Sequence, residues 1–178
     1  MTHRPDATPT RHGTVLFTDI VGFTEYTDVC GDVAALEMLD LQAALARDAL
    51  GPTGGRIVKE LGDGLMVWFD DVAAGLRAAA EILRSTELAR SDERFPLSLR
   101  MGMHRGDAIQ RGEDFIGQTV NIASRIADLA GPGELLVSDQ VLDGMTPASP
   151  AMTFSPVGPT RVKGVSDPIW LHRLAHCP

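Results

Sequence analysis

Two aspartates at the ends of apolar runs are the residues best placed to do chemistry. Asp19 closes Val15-Leu16-Phe17-Thr18 and leads into Ile20-Val21-Gly22-Phe23-Thr24, where a glycine turns the chain into a helix-starting residue. Asp63 lies in Gly62-Asp63-Gly64 between apolar runs at residues 55–61 and 65–69, and Asp-Gly between such runs signals a hairpin turn. Each carboxylate is thereby delivered to a strand end. If the strands are neighbours, two anions at about 4 Å repel by roughly 4 kcal/mol at an effective dielectric near 20, so a cation belongs between them. Oxygen ligands with no His or Cys nearby suit Mg²⁺ or Mn²⁺, and Mg²⁺ commonly takes one or two carboxylates plus substrate phosphates. Val21, Gly22, Phe23 and Thr24 would complete such a site, because a glycine turn at the positive end of a helix aims backbone N–H groups at a phosphate chain. The plainer reading of each aspartate alone is that Asp19 caps a helix and Asp63 makes a turn.

A second set of residues could act on the same kind of ligand. Asn121 and Arg125 are four apart on a helical pattern and share one face, roughly opposite its apolar stripe. The amide can orient a sugar, and the guanidinium can stabilise charge that grows on a reacting phosphate. Arg125 alone would equally be a solvated residue paired with Asp128. Lys59, at the end of a strand, and Asp114, seven residues before Asn121, offer a cationic donor and a carboxylate. Together they could read the ring-nitrogen acceptor and exocyclic amine of adenine.

The elements that must position these groups follow from periodicity. Residues 1–12 are polar and read as a mobile tail, and a first strand covers residues 13–19. Asp32 caps a helix with Leu36, Leu39, Ala43, Ala46 and Leu50 inward, stopped by Gly51-Pro52. After the Asp63 hairpin, Val72, Leu76, Ala79, Ile82, Leu83 and Thr86 mark a second helix, broken at Phe95-Pro96. Residues 97–104 alternate apolar and polar as a half-buried strand, with a short hairpin through Arg111-Gly112 after them. Residues 117–130 form a helix with Val120, Ala123, Ile126, Ala127 and Ala130 inward, ended by Gly131-Pro132-Gly133. A strand at 134–137, a short helix at 139–144, a loop at 147–159 with a strand at 152–154, and a closing strand at 168–174 complete the chain. The order is that of an α+β fold: a ferredoxin-like βαββαβ core, extended, with a mainly antiparallel sheet and helices packed largely on one face.

At 178 residues the chain suits one domain, residues 13–175. A net charge of −8 and no run of Lys or Arg argue against nucleic-acid binding. Cys30 and Cys177 show no paired or ligand spacing, which suits a reducing, cytoplasmic setting. No apolar stretch is long enough to insert in a membrane or to serve as a leader. The histidines form no ligand pattern, and His104 is expected as a strand residue near the active edge.

Taken in order, Phe17-Thr18-Asp19-Ile20-Val21-Gly22-Phe23-Thr24, Lys59-Glu60-Leu61-Gly62-Asp63-Gly64, Asp114-Phe115-Ile116-Gly117 and Asn121-Ile122-Ala123-Ser124-Arg125 resemble the motifs of class III nucleotide cyclase catalytic domains. The resemblance covers nearly the whole chain after the tail. It implies that Asp19, Asp63 and the Ile20 carbonyl hold two divalent cations, Mg²⁺ or Mn²⁺, and that Asn121 and Arg125 serve the transition state. It also implies that Lys59 and Asp114 select adenine, and that Lys163 contacts the polyphosphate. Guanylyl members carry an acidic residue where Lys59 stands, and the neighbouring Glu60 faces the other way on a strand. The implied reaction is ATP to cyclic AMP and pyrophosphate, in a two-fold homodimer whose sites are shared between subunits. A guanylyl or dual-specificity cyclase is the alternative within the family, and a non-catalytic nucleotide-binding or interaction module is the alternative on the same fold. Diguanylate cyclases share paired carboxylates but carry a Gly-Gly-Asp-Glu-Phe turn, where this chain has Leu61-Gly62-Asp63-Gly64-Leu65.

Overall fold

The computed structural model describes residues 9–147, 149 and 151–176. In chain order the elements are β1 (Thr10–Val21), α1 (Phe23–Cys30), α2 (Asp32–Leu50), β2 (Arg56–Leu61), β3 (Gly64–Phe69), α3 (Val72–Ser91) and β4 (Ser98–Arg111). After these come β5 (Asp114–Ile116), α4 (Gln118–Leu129), β6 (Leu135–Ser138), α5 (Asp139–Asp143), β7 (Thr153–Thr160) and β8 (Ile169–His176). The sheet runs β2-β3-β1-β4-β6-β8-β7, with β5 paired to β4. The first four strands, β2-β3-β1-β4, have the ferredoxin-like order and are antiparallel throughout. The β4–β6 pair alone among these ladders is parallel, and it begins the extension.

Alternation along β1 explains how the sheet is covered. Leu16 and Ile20 enter a core with residues of α2, α3 and α5, such as Ala46, Leu76 and Val141. Val15 and Phe17 point the other way, into a core with Ala123 and Ala127 of α4. The helices therefore lie largely on one face, with α4 as the exception on the opposite face. This second layer is why β4, expected to be half-buried, buries Gly102 and His104 as well as Leu99, Met101 and Met103. Gly102 makes the layer fit: a Cβ there would lie 2.0 Å from the Ala127 backbone nitrogen, so any side chain would lift α4 from the sheet.

Several boundaries differ from those expected. The tail was expected through residue 12, but Thr10–His12 are already strand, paired with β4 between Asp107 and Ile109. A polar strand gives no alternation to read, and residues 1–8 of the expected tail lie outside the described residues. Cys177 lies outside them too. Leu36 was placed inward on α2 but is 58% exposed, and Ala35, Met38 and Gln42 are buried instead. Ala43, Ala46 and Leu50 are buried as expected and Leu39 is half-buried, so the departure is confined to the first turns of the helix. β7 runs through Pro156 and Pro159, where a loop was expected; it is an edge strand, which tolerates proline where its N–H would face solvent.

Buried His104 is hydrogen-bonded through Nδ1 to Ser138 Oγ at 2.8 Å, and burial pushes its pKa from 6.5 down to about 4. The folded protein therefore refuses a proton that the unfolded chain accepts. His104 contributes no pH dependence above about 6.5, and as pH falls from 6.5 towards 4 it subtracts stability, up to about 3 kcal/mol in all. Urea unfolding of wild type and His104→Gln across this range should show a steeper loss of stability in wild type. Equal slopes would contradict the assignment.

Candidate active site

Asp19 stands near the end of β1, with Gly64 of β3 on one side and Arg100 of β4 on the other. Asp63 occupies the β2–β3 turn. The turn pair is Gly62-Asp63, one residue earlier than the Asp-Gly signal suggests, and Gly62 takes the positive φ of 64° that the tight turn requires. The Asp63 carbonyl accepts a hydrogen bond from the Ile20 N–H at 3.2 Å, which brings the two aspartates to one corner of the sheet. Burial pushes the Asp63 carboxyl above the usual carboxylate range, and the adjacent Asp19 carboxylate pushes it the same way.

The cation beside this pair is one that sequence reasoning missed. Arg100 Nε donates to Asp19 Oδ2 at 2.6 Å, its Nη2 lies 2.5 Å from the same oxygen, and its Nη1 donates to the Asp128 carbonyl of α4 at 3.2 Å. Arg100 was read as a polar residue of an alternating strand. Its parity was visible, but the Asp19↔Arg100 register was not. A second missed residue lies beneath the pair. Gln42 of α2 is 2% exposed, and its Nε2 donates to Thr18 Oγ1 at 3.1 Å and to the Asp63 carbonyl at 3.3 Å. An amide within the apolar stripe of α2 was the available signal.

The glycine turn from β1 into α1 is formed as expected. Gly22 adopts φ 77° between β1 and α1, the Tyr26 N–H returns to its carbonyl, and no side chain caps the first N–H groups of α1. Val21, Gly22, Phe23 and Thr24 thus follow directly on Asp19 and Ile20.

Lys59 and Asp114 meet across the β2–β5 contact, with Lys59 Nζ donating to Asp114 Oδ2 at 2.6 Å. The lysine holds the Asp114 carboxyl below its usual range, and the Phe115 N–H, which donates to Oδ1 at 2.7 Å, adds to the effect. Phe115 fixes β5 by stacking on Trp68 at 3.8 Å between ring centroids. Glu60 points away and accepts from Arg47 of α2 at 2.9 Å, as the strand parity requires.

Asn121 is exposed on α4, and Arg125, one turn later, lies in a cleft with Arg161, Lys163 and Asp128. Arg125 packs against Gly164, where a Cβ would come within 2.8 Å of its Nη1. Among the described residues Arg125 has no ion pair. The solvated Arg125–Asp128 pairing is not formed, and Asp128 instead lies 3.8 Å from Arg100. The structure therefore brings Asp19 to Asp63, Lys59 to Asp114 and Arg125 to Lys163. No hydrogen bond or ion pair among the described residues joins these three groups to one another. Nor does any cluster of three or more His, Cys, Asp or Glu among them form a metal site by itself. Two carboxylates flanked by backbone carbonyls are nevertheless a fitting donor set for a hard cation that brings phosphate ligands with it.

Residues 6–175 match the family model described as the adenylate and guanylate cyclase catalytic domain. A pH-sensitive adenylate cyclase of Mycobacterium tuberculosis is 34% identical over 166 residues, covering 92% of this chain and 41% of the relative. The chain thus spans about two fifths of that curated relative. Among solved structures, the adenylyl cyclase CyaB from P. aeruginosa superposes with a TM-score of 0.86 at 25% identity, covering 97% of each chain. An adenylate/guanylate cyclase/hydrolase from Silicibacter pomeroyi gives 0.80 at 29% identity, covering 94% of this chain and 98% of the other.

The Arg100–Asp19 contact predicts a stability effect that needs no substrate. Arg100→Met should lower unfolding stability in metal-free buffer by about 1–2 kcal/mol, since the pair is charge-assisted but partly exposed. Combined with Asp19→Asn it should cost much less. Denaturant unfolding of the four proteins gives the coupling, and additive losses would show that the contact carries no weight.

Proposed function

The chain belongs to the adenylate and guanylate cyclase catalytic domain family, and from that premise we propose that it is an adenylyl cyclase, converting ATP to 3′,5′-cyclic AMP and pyrophosphate. The observation that carries the proposal is the paired Asp19 and Asp63 carboxyls at one sheet corner, directly followed by the uncapped turn of residues 21–24. The catalytic unit is taken as residues 13–175. No helix among the described residues is long and apolar enough to cross a membrane, and a cytoplasmic site of action, where ATP is available, is part of the proposal.

Asp19, Asp63 and the Ile20 carbonyl would hold two divalent cations, Mg²⁺ or Mn²⁺. Bound there, these would supply the charge that eases ionisation of the ribose 3′-hydroxyl and neutralises the triphosphate. The N–H groups of Val21, Gly22, Phe23 and Thr24 bind the phosphate chain at the start of α1. Asn121 orients the ribose. Arg125 faces the charge that develops as the 3′-oxygen bonds to the α-phosphorus and the bond to the pyrophosphate oxygen breaks. Lys163, in the same cleft as Arg125, meets the polyphosphate.

Lys59 and Asp114 read the base. Their ion pair supports this role because it holds both side chains side by side before adenine arrives. The lysine then donates to a ring nitrogen and the aspartate accepts from the exocyclic amine. Guanine presents the opposite pattern at those positions, so ATP is favoured over GTP.

The separation of Asp19 and Asp63 from Arg125 within one chain supports a two-fold homodimer, each site taking the aspartates of one subunit and Lys59, Asp114, Asn121 and Arg125 of its partner. Exposed apolar residues flank these groups: Leu61 beside the Asp63 turn, Ile116 beside Asp114 and Leu129 beyond Arg125.

Cyclic AMP formation from ATP with Mg²⁺ or Mn²⁺ is the direct assay, and a folded protein that makes none refutes the proposal. Lys59→Glu combined with Asp114→Ser should weaken ATP use and shift preference towards GTP; unchanged ATP turnover would show that the pair does not read the base. Asp19→Ala and Arg125→Ala should each be nearly inactive, the arginine loss costing on the order of a hundredfold. Mixed together, they should regain activity approaching half of wild type per heterodimer, because one site of each mixed dimer carries no lesion. Subunit exchange without recovery would rule out shared sites.

A further inference from the structure

We propose that Gln42 is a positioning residue for the paired carboxylates, fixing the spacing of Asp19 and Asp63 and so setting how tightly the corner binds a divalent cation. The inference rests on the two-cation reading of Asp19 and Asp63 and adds a determinant from outside the motifs that define it.

Gln42 lies in α2, where its neighbours in the buried stripe are Met38, Ala43 and Ala46. A methionine or leucine there would pack without desolvating an amide, and a buried amide is costly unless its hydrogen bonds are made. Both bonds made by its nitrogen go to the metal corner. One reaches the hydroxyl of Thr18, the residue before Asp19, and the other reaches the carbonyl of Asp63 itself. A carbonyl can only accept, so the amide nitrogen must face the turn, and the side-chain orientation is settled.

The acceptors are themselves tied into the strands. Thr18 Oγ1 also accepts from the Leu65 N–H at 3.3 Å, two residues after Asp63. The Asp63 carbonyl also accepts from the Ile20 N–H, one residue after Asp19. Gln42 thus closes a ring of hydrogen bonds that runs from β1 through the amide to the β2–β3 turn and back to β1. A turn carrying a half-buried carboxyl beside a like charge has reason to move away, and this ring opposes that motion. Arg47, further along α2, adds a second tie to the hairpin through Glu60.

The consequence is specific to cation binding. Mg²⁺ demands near-ideal octahedral geometry, whereas Ca²⁺ tolerates irregular ligand sets. Loosening the ring should therefore weaken Mg²⁺ more than Ca²⁺, and partners outside the first ligand shell are typically worth tenfold or more in affinity.

The test uses the full chain without nucleotide and Mn²⁺ alone as the probe, followed by electron paramagnetic resonance, with Mg²⁺ and Ca²⁺ as competitors. Gln42→Met should bind Mn²⁺ and Mg²⁺ roughly tenfold more weakly, with a smaller loss for Ca²⁺. In cyclisation assays it should raise the Mg²⁺ concentration needed for half-maximal rate while leaving the nucleotide KM at saturating metal close to wild type. Thr18→Val, which keeps the bond from Gln42 to Asp63, should show the same pattern more weakly and serves as the second variant if Gln42→Met does not fold. Wild-type cation affinities in a folded variant would overturn the role of Gln42. Asp63→Ala separates the two readings: if it binds Mn²⁺ as wild type does, the two-cation assignment fails and this inference with it. If it loses binding while Gln42→Met keeps it, only the inference fails.

Discussion

The electrostatic conflict between Asp19 and Asp63 is the constraint that the surrounding structure contains. Two like charges in contact cost roughly 4 kcal/mol at an effective dielectric near 20, comparable to a large share of a domain's net stability. The fold answers with an opposite charge, the Arg100 guanidinium on Asp19, and with hydrogen bonds from Ile20 and Gln42 to the turn. Among the described residues Asp63 has no ion pair, and its carboxyl is the one pushed upward. The corner is thus neutralised on one side only, which leaves it receptive to added positive charge.

How much of this could be read from the sequence depended on whether the signal was local. Asp19 and Asp63 were legible because an apolar run, a carboxylate and a glycine stand next to one another. Lys59, Asp114, Asn121 and Arg125 were legible through motif order, and the side-by-side placement of Lys59 and Asp114 followed once β5 packed on the β2–β3 pair. Arg100 could not be found this way. Its role comes from a cross-strand register spanning 81 residues of chain, and period-two alternation gives parity but not register.

The same limit explains the errors in the fold. Helix periodicity identified α2 and α3 but placed Leu36 inward where Ala35 is buried, because neighbouring Ala and Leu residues in the first turns of α2 leave the edge of the stripe undefined. The second helical layer was under-read because β1 is buried on both faces, so its apolar run carries no alternation to show that α4 would cover the far side. Gly102 was the one local sign of that layer. It stands on the polar parity of β4 where a surface residue was expected, and its missing side chain is what lets α4 approach.

That close approach governs where the side chains of α4 can point. With α4 seated over Gly102, its inward residues Ala123, Ile126 and Ala127 are committed to the sheet, and Asn121 is left on the outer surface while Arg125 turns towards Gly164. Rotating α4 to turn Arg125 towards Asp19 would withdraw those residues from two cores at once. Burial of Ile126 alone is worth roughly 1.5–3 kcal/mol, more than a surface ion pair could return. Arg100 meanwhile occupies Asp19 and reaches the Asp128 carbonyl near the end of α4, so the place beside Asp19 is already filled from within the chain. The packing of α4 on the sheet therefore fixes Arg125 beside Gly164 and Lys163 and leaves Asp19 to Arg100.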